Sequence, residues 1–349
     1  MLEALAIVAP GQPLREGLDR ILKASMGALI VVGDGPEVLN ICSGGFLLDA
    51  AFSPQRLSEL AKTDGAIILA ADASRIARAN VHLVPNPNVP TTETGTRHRT
   101  AERVARSIGV PVISVSEDMA VLTVYMHDGK HQLDTIPSIL GRCNQALQTL
   151  ERYRTRLTEV SGALSALEIE DLVTVRDVVT LLQRTEVVMR VAEEIERYLV
   201  ELGTDGRLVR LQLNELMAGI EDDRRQVVLD YFQPDAAWNL EQAMATLSDL
   251  ETEQLLDAEG VADALHLSGG TTDLDGTLQP RGYRVLARVP RLVDEVAYRL
   301  IDNFGTLQKL MRATVDDLAA TDGVDDALAE HVKSALSHIA ESSIMDRYT

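Results

Sequence analysis

The sequence GALIVVGDGP, at residues 27–36, is the stretch that bears most directly on the fold of the N-terminal part. Gly27–Gly33 is an apolar run with several β-branched residues, which is typical of a buried strand. Gly33–Pro36 combines Gly, Asp and Pro, which favour a turn. We therefore expect Val38–Cys42 to return as a second strand, with Gly33–Gly35 as a hairpin turn.

Helix and strand patterns alternate through the rest of the first 140 residues. Leu14, Leu18, Ile21 and Leu22 share one helical face, and Ser53-Pro54 is typical of a helix start. Further expected elements are a strand at Ala66–Ala71, a helix at Thr96–Ile108 that ends at Gly109, and strands at Val112–Ser116, Val121–Met126 and His131–Leu133, the last two joined by a turn at Asp128-Gly129. The sequence therefore predicts an α/β domain over residues 1–138, with a mixed sheet and flanking helices.

The pattern is helical almost throughout residues 139–267, which predicts an all-α middle domain. Apolar residues from Ile136 to Leu164 recur at helical spacing and predict one long amphipathic helix. We expect its apolar stripe to be buried between subunits. Helical patterns continue through Leu172–Leu202 and Leu208–Phe232.

A polar segment rich in Gly and Thr, Ser268–Gly282, separates this part from a second helical region. Such a composition is typical of a linker. Helical periodicity resumes at Tyr283, so residues 283–349 form an expected all-α C-terminal domain.

Composition narrows the class of protein. The chain has 33 basic and 53 acidic residues, so its net charge of −20 excludes nucleic-acid binding through overall charge. Residues 281–312 are the exception, with seven basic and three acidic side chains. No apolar run approaches the ~20 residues of a membrane span. Cys42 and Cys143 give neither a disulfide framework nor a zinc spacing. We expect a reduced, cytoplasmic protein that does not enter membranes.

The stretch GTRHRT at residues 95–100 opens the helix expected at Thr96–Ile108. A helix N-terminus offers free amides and a positive dipole end to phosphate. Gly95 permits close approach, and the side chains that could add donors are Thr96, Arg97, His98, Arg99 and Thr100. Asp64, at a strand edge, could hold a divalent cation that bridges phosphates. An ordinary solvated helix turn has the same residue types, so both interpretations stay open at this point.

Two C-terminal stretches, LARVPRL at residues 286–292 and LAATDGV at residues 318–324, each lead into a helix. Both are typical of a helix, a tight hairpin and a second helix. Such pairs present hairpin amides to DNA phosphates without reading bases. A plain helical bundle is the alternative, and the arginines near the first hairpin favour DNA.

The motifs DGA at Asp64–Ala66 and GTRHRT some 30 residues downstream together resemble the diadenylate cyclase domain. The order of cyclase, helical middle and helix-hairpin-helix region resembles the DNA-integrity scanning (DisA) family. The resemblance implies condensation of two ATP into cyclic di-AMP and two pyrophosphates, with Mg²⁺ or Mn²⁺, across facing subunits of an octamer. It also implies binding of branched DNA such as Holliday junctions. A DNA-binding scaffold with an idle nucleotide site is the alternative.

The resemblance also assigns roles to particular residues. Asp64, Arg97 and His98 are the implied catalytic residues, with Asp64 positioning the metal and the attacking 3′-hydroxyl. Gly65 and Leu83 are expected to line the ATP site, and Thr96 to Thr100 to hold phosphates. Gly45-Phe46 is expected near the base, and Ser116-Glu117 near the metal. The hairpin Val289–Leu292 departs from the family pattern, because it contains no glycine.

Overall fold

A mixed sheet forms the centre of the N-terminal unit, which comprises Met1–Ala146 and Glu194–Gln212. The computed structural model describes residues 1–117, 119–232, 239–267 and 273–346. The described strands are β1 Ala28–Val32, β2 Cys42–Ser43, β3 Phe46–Ala51, β4 Ala66–Leu69, β5 Arg75–Leu83, β6 Val112–Ser116, β7 Val121–Met126 and β8 Gly129–Gln132. Their order is β2-β5-β4-β1-β6-β7-β8, and β3 also pairs with β5. β1 and β4 are parallel and the other pairs are antiparallel, which confirms the predicted mixed sheet.

Helices cover both faces of this sheet. They are α1 Leu2–Ala6, α2 Pro13–Lys23, α3 Pro36–Asn40, α4 Pro54–Leu60 and α5 Thr96–Ile108. On one face Leu18 and Leu57 pack with strand residues such as Ile30 in a fully buried cluster. On the other face Ala101 and Val104 of α5 pack with Ile68. The sheet is therefore the middle layer of three, and α5 is held rigidly against it.

The prediction of a hairpin after β1 is wrong. β1 pairs with β4 and β6, and a helix, α3, begins at Pro36 directly after the turn. Proline is favoured at the first helical position because its fixed φ suits the helix and no amide is lost there. Of the strand expected at Val38–Cys42, only Cys42 lies in one, β2.

The turn between β7 and β8 lies one residue earlier than predicted. Met126 pairs with Gly129, so His127 and Asp128 form the turn, and His127 takes a φ of 51°. Sequence analysis did not identify β3 or β5. Charged residues interrupt β5, whereas consecutive apolar residues of β3, such as Leu47, are exposed. Neither strand shows the clean apolar pattern of a buried one.

The second unit comprises Leu147–Glu193 and Leu213–Thr349 and is helical in its described part. The helices that follow the sheet are α6 Ile136–Glu170, α7 Val175–Leu202, a 3₁₀ turn at Gly203–Gly206, α8 Arg207–Met217, α9 Ile220–Tyr231, α10 Leu240–Asp249, α11 Thr252–Leu256 and α12 Ala258–Ala264. The continuous helix expected over Leu208–Phe232 is broken before α9, where Gly219 has a φ of 76°. No helix in the described ranges is long and apolar enough to cross a membrane.

The apolar stripe of α6 is already buried within a single copy of the chain. Ile139, Leu150 and Leu164 are at most 1% exposed. The prediction that this stripe forms a contact between subunits is therefore wrong, because its apolar surface has partners in the same chain.

The segment expected to be a linker is partly attached to the helical unit. Residues 268–272 lie outside the described part of the chain. From Asp273 onward, however, Gly276 accepts a hydrogen bond from the Val175 amide at 3.0 Å, and Leu278 donates one to Val173 at 2.8 Å. The second half of the segment thus pairs with the start of α7. The domain boundaries proposed from sequence stay predictions.

Five C-terminal helices share one apolar core that includes Leu300, Leu307 and Val332. They are α13 Tyr283–Leu286, α14 Asp294–Phe304, α15 Leu307–Arg312, α16 Val315–Ala319 and α17 Asp326–Asp346. The two tight connections predicted from sequence are present, before α14 and before α17. The first turns through Arg291 with a φ of 64°, and the second through Gly323 with a φ of 83°.

A buried ionic cluster connects α13 to α6 and α9. The Arg284 guanidinium donates to Glu168 at 2.8 Å, and both side chains are at most 3% exposed. Tyr231 donates to the same carboxylate at 2.7 Å. Asp230 accepts hydrogen bonds from the Gly282 and Arg284 amides. Burial, together with the nearby Glu168 carboxylate, nevertheless raises the pKa of Asp230 to about 7. Removing one partner from such a buried pair typically costs about 3–5 kcal/mol, so this cluster fixes where α13 begins.

Candidate functional site

The strand register places the predicted site residues along one edge of the sheet. Leu29 pairs with Ala66 and Ala28 pairs with Val115. The start of β1, the start of β4 and the end of β6 therefore lie side by side. Asp64 and Gly65, just before β4, are exposed at this edge. An exposed carboxylate thus stands beside the open ends of three central strands.

Two glycines bring loops onto the backbone of β5 at the same edge. Gly65 has a φ of +98°, and a Cβ there would lie 2.8 Å from the Asn80 carbonyl carbon. A Cβ on Gly45 would lie 2.7 Å from the Ala79 oxygen. The β4–β5 register shifts here, and Asn80 takes a φ of 54°. Only glycine fits either position without moving backbone, so the two glycines shape the floor of the edge.

The first turn of α5 has no side-chain cap. Gly95 precedes the helix in an extended conformation and provides no side-chain cap. The first-turn amides therefore lack a capping partner and are suited to bind an anion. Thr96, Arg97 and Arg99 are exposed. The Thr100 hydroxyl is already used within the helix, where it donates to the Thr96 carbonyl at 2.9 Å.

The guanidinium of Arg97 lies against a glycine, Gly27, that sequence analysis did not single out. Gly27 is buried at the start of β1, and a Cβ added there would overlap the guanidinium of Arg97. The absence of a side chain at Gly27 thus leaves room for this cation at the sheet edge. The sequence signal that could have indicated this contact is the glycine directly before the apolar run of β1.

His98 is held by a chain of hydrogen bonds that ends on Lys130. Its Nδ1 lies 2.8 Å from the Tyr125 hydroxyl, which donates to Glu93 at 3.0 Å. Lys130 pairs with the same carboxylate at 2.5 Å. Because the tyrosine proton goes to Glu93, the hydroxyl must accept from His98, so this assignment puts the imidazole proton on Nδ1. Nε2 is then left to face a ligand.

Burial lowers the pKa of His98, with Lys130 and Arg97 adding to the effect and Glu93 opposing it. The imidazole is therefore mostly neutral at pH 7 in the free protein. The pKa of Glu93 is below its usual value, because hydrogen bonds from Lys130 and Tyr125 outweigh its burial. Tyr125, Glu93 and Lys130 are the residues that sequence reasoning missed, since they lie far from the motif along the chain.

The remaining predicted site residues make fewer contacts that point to a role in binding. Leu83 ends β5, but its side chain is 5% exposed and belongs to the apolar cluster under α5. Phe46 follows Gly45 and is 63% exposed. Ser116 ends β6 at the same edge, where its hydroxyl accepts the Met119 amide at 3.4 Å, and Glu117 is exposed.

No group of three or more His, Cys, Asp or Glu side chains within the described ranges could by itself hold a metal ion. A lone carboxylate such as Asp64 nevertheless suits Mg²⁺. That ion is usually bound by one or two carboxylates together with substrate phosphates and waters. Asp64 therefore fits a cation that arrives with a phosphorylated ligand.

Comparisons with known proteins agree on one family over most of the chain. Residues 15–130 match the family described as DisA bacterial checkpoint controller nucleotide-binding, and residues 133–274 match the DisA bacterial checkpoint controller linker region. The chain is 56% identical over 345 residues to the DNA integrity scanning protein DisA of Parafrankia sp. (strain EAN1pec), covering 99% of this chain and 96% of the relative. It is 52% identical over 351 residues to the protein of that name from Streptomyces coelicolor, covering 100% and 94%.

Among solved structures, the chain is similar to a double mutant of DacA from Staphylococcus aureus. The identity is 23%, the TM-score is 0.31, and the match covers 38% of this chain and 88% of that one.

Replacing Gly27 with alanine should displace Arg97 while leaving the fold intact, because the overlapping atoms are the flexible end of a side chain. A charge-assisted contact is worth about 1.5–3 kcal/mol, so we expect ATP affinity to fall about tenfold or more. Calorimetric titration with a non-reactive ATP analogue measures this. Gly35→Ala is the matched control, since a Cβ there meets no atom within 4 Å. Equal affinity in Gly27→Ala and the parent would show that Arg97 does not contact the ligand.

Binding of a triphosphate should be coupled to proton uptake by His98. Burial lowers the pKa of the free imidazole, and an adjacent polyanion favours its charged form, so the bound pKa is higher. Affinity should therefore rise as the pH falls through the window between these two values. Calorimetry at pH 6.5 in two buffers of different protonation enthalpy measures the uptake. His98→Gln should take up fewer protons, and identical uptake in both proteins would exclude His98 as the acceptor.

Proposed function

Because the chain belongs to the DisA family of DNA integrity scanning proteins, we propose that it condenses two ATP into cyclic di-AMP and two pyrophosphates. The observation that carries this proposal is the convergence of Asp64, Gly65 and the first turn of α5 at one edge of the sheet. That edge combines a carboxylate, a close backbone approach and a cationic helix start. Nucleotidyl transfer needs the phosphate charge neutralised and the attacking hydroxyl held in line, and these groups are suited to both.

The α5 end of the site is suited to the triphosphate. Free amides of the first turn, the Thr96 hydroxyl and the guanidinium groups of Arg97 and Arg99 offer charge-assisted donors to phosphate oxygens. His98 adds Nε2 and gains a proton as negative charge accumulates. These donors stabilise the charge on the leaving pyrophosphate, which is where a transferase gains most of its electrostatic benefit. Exposed Phe46, after Gly45, is available to stack on the purine.

Asp64 serves the other half of the reaction. The 3′-oxygen of one ATP forms a bond to the α-phosphorus of the other, and the bond to the departing pyrophosphate breaks. We assign Asp64 to accept a hydrogen bond from the attacking hydroxyl and so to hold it in line. Asp64 and the ATP phosphates would also hold Mg²⁺ or Mn²⁺, which when bound neutralises phosphate charge.

One copy of the site holds one ATP, so the reaction needs a second copy facing it. Symmetry then positions each hydroxyl against the other α-phosphate. We propose the octamer of the family as the assembly that supplies this pairing. The α6 stripe does not contribute to that argument, because it is buried within the chain.

The C-terminal helices are the proposed contact to branched DNA such as Holliday junctions. Arg291 is exposed in the turn between α13 and α14, and it occupies the left-handed conformation for which glycine is usually required. A positive charge therefore stands at the hairpin itself, in a segment with few acidic residues. His331 steadies that hairpin through a 2.8 Å contact between its Nε2 and the Pro290 carbonyl.

Asp64→Asn should abolish cyclic di-AMP synthesis while the assembly stays intact, because the amide keeps the shape but loses the charge. Product is quantified chromatographically after incubation with ATP and Mn²⁺, and assembly by light scattering. Asp72→Asn is a matched control, since Asp72 is an exposed carboxylate in the turn after β4. Near-normal synthesis by Asp64→Asn would exclude the assigned role. An inactive parent chain that still binds junction DNA would favour the scaffold alternative.

Arg291→Gly should weaken binding to a four-way junction without destabilising the hairpin. Glycine accepts the left-handed φ and relieves about 1–2 kcal/mol of strain, so thermal stability should not fall. Loss of one phosphate contact should reduce the slope of log K against log salt by about 0.9. The control is Arg152→Gln, an exposed arginine of α6. An unchanged slope in Arg291→Gly would place the DNA contact elsewhere.

A further inference from the structure

The helical unit contains a cleft whose basic residues play no part in the proposed reaction. Its volume is about 240 Å³. Its walls come from α6, α7, α9 and the segment after α13. The polar side chains that matter here are Arg154, Thr158, Ser161, Asp223, Arg224 and Arg288.

Two of the three arginines form no ion pair with a described residue. Arg154 makes one long contact, to the Ala218 carbonyl at 3.4 Å, and no ion pair in the described part of the chain. Arg288 is exposed, and its guanidinium makes neither a hydrogen bond nor an ion pair with any described residue. Burial and the neighbouring Arg284 lower the pKa of Arg288, and the carboxylates Glu168 and Asp223 oppose this shift. A guanidinium without a contacting carboxylate is free to donate charge-assisted hydrogen bonds to an anion.

The third arginine is already neutralised. Arg224 pairs with buried Glu186 at 2.5 Å and also donates to the Ser248 hydroxyl. Asp223 is the carboxylate in the lining and opposes an anion. Arg154 and Arg288, the two lining arginines that form no ion pair with a described residue, still outnumber it. Arg154 and Arg288 belong to separate segments, α6 and the turn after α13, so a ligand between them would be bound from two sides.

Hydroxyl groups and size define the class of ligand. Ser161 accepts a hydrogen bond from Arg284 at 2.8 Å, and its own proton can be donated to an anion. Thr158 lies one turn earlier on α6. The cleft has the volume of about eight waters at ~30 Å³ each. It is below the roughly 300 Å³ at which pockets for drug-sized ligands begin, so a nucleotide does not fit.

We propose that this cleft binds a small, multiply charged phosphate, of the size of phosphate or pyrophosphate, between Arg154 and Arg288. The shared chemistry is a phosphate group held by two guanidinium forks and a hydroxyl. That group could belong to a free anion or to a DNA backbone, and we assign it to the free anion because the cleft is small.

The test is calorimetric titration of inorganic pyrophosphate into the full chain. All proteins carry Arg97→Ala and Arg99→Ala, so that binding at α5 does not mask the signal. Arg154→Gln with Arg288→Gln should lower affinity at least tenfold. The matched control is Arg152→Gln with Arg156→Gln, which removes the same charge from exposed positions of α6 outside the cleft.

A second variant blocks the cleft without removing charge. Gly162 lines it, and an added Cβ would meet no atom within 4 Å. Gly162→Leu should therefore fold, since leucine also favours helix over glycine, and should abolish binding by filling the space. Unfolding midpoints measured without ligand confirm that each variant is folded.

Loss of pyrophosphate binding in the cleft variants, with binding kept in the control, supports the proposal. Three results would overturn it: no binding by the parent, equal loss in the control pair, or full binding by Gly162→Leu. A junction DNA titration is the second arm. If the cleft variants lose DNA affinity and keep pyrophosphate affinity, the phosphate belongs to DNA and the free-anion assignment is wrong.

Discussion

The close approach of Gly65 to the backbone of β5 is the contact on which the site depends. No side chain fits between them, since even a Cβ would come within 2.8 Å of Asn80. This contact keeps Asp64 at the sheet edge. Gly45 approaches the same part of the β5 backbone, near Asn80. Gly27 makes the corresponding space for Arg97 at the start of β1. Three glycines thus convert the end of an ordinary mixed sheet into a site with a carboxylate on one side and cations on the other.

Contacts from α5 and β7 hold the phosphate-binding side of the site in place. Ala101 and Val104 are fully buried against the sheet, so the first turn of α5 cannot drift away from it. Tyr125, itself 1% exposed, fixes the orientation and the tautomer of His98 through a hydrogen bond. Glu93 and Lys130 complete the chain, and burial lowers the pKa of the imidazole until negative charge arrives. Pre-organisation of this kind removes reorganisation cost at the moment of reaction.

Sequence patterns predicted those parts of the fold in which local and tertiary preferences agree. The bounds of α5 at Thr96–Ile108 were predicted because Gly109, with a left-handed φ of 75°, ends the helix as glycine commonly does. The prediction of a strand after Gly35 was wrong, because Pro36 is as well suited to the first position of a helix as to a turn. Strand β5 was missed because its arginines and Asn80 break the apolar pattern. The Tyr125–Glu93–Lys130 chain could not be predicted, since only the folded sheet brings those residues to His98.

The assignment as a whole is tested most directly by incubating the purified full-length chain with ATP and Mn²⁺ and quantifying both products. We expect cyclic di-AMP and pyrophosphate in a ratio of about one to two, because each of two facing sites releases one leaving group as one ring closes. Linear products alone, or no consumption of ATP by a folded assembly that binds ATP, would contradict it.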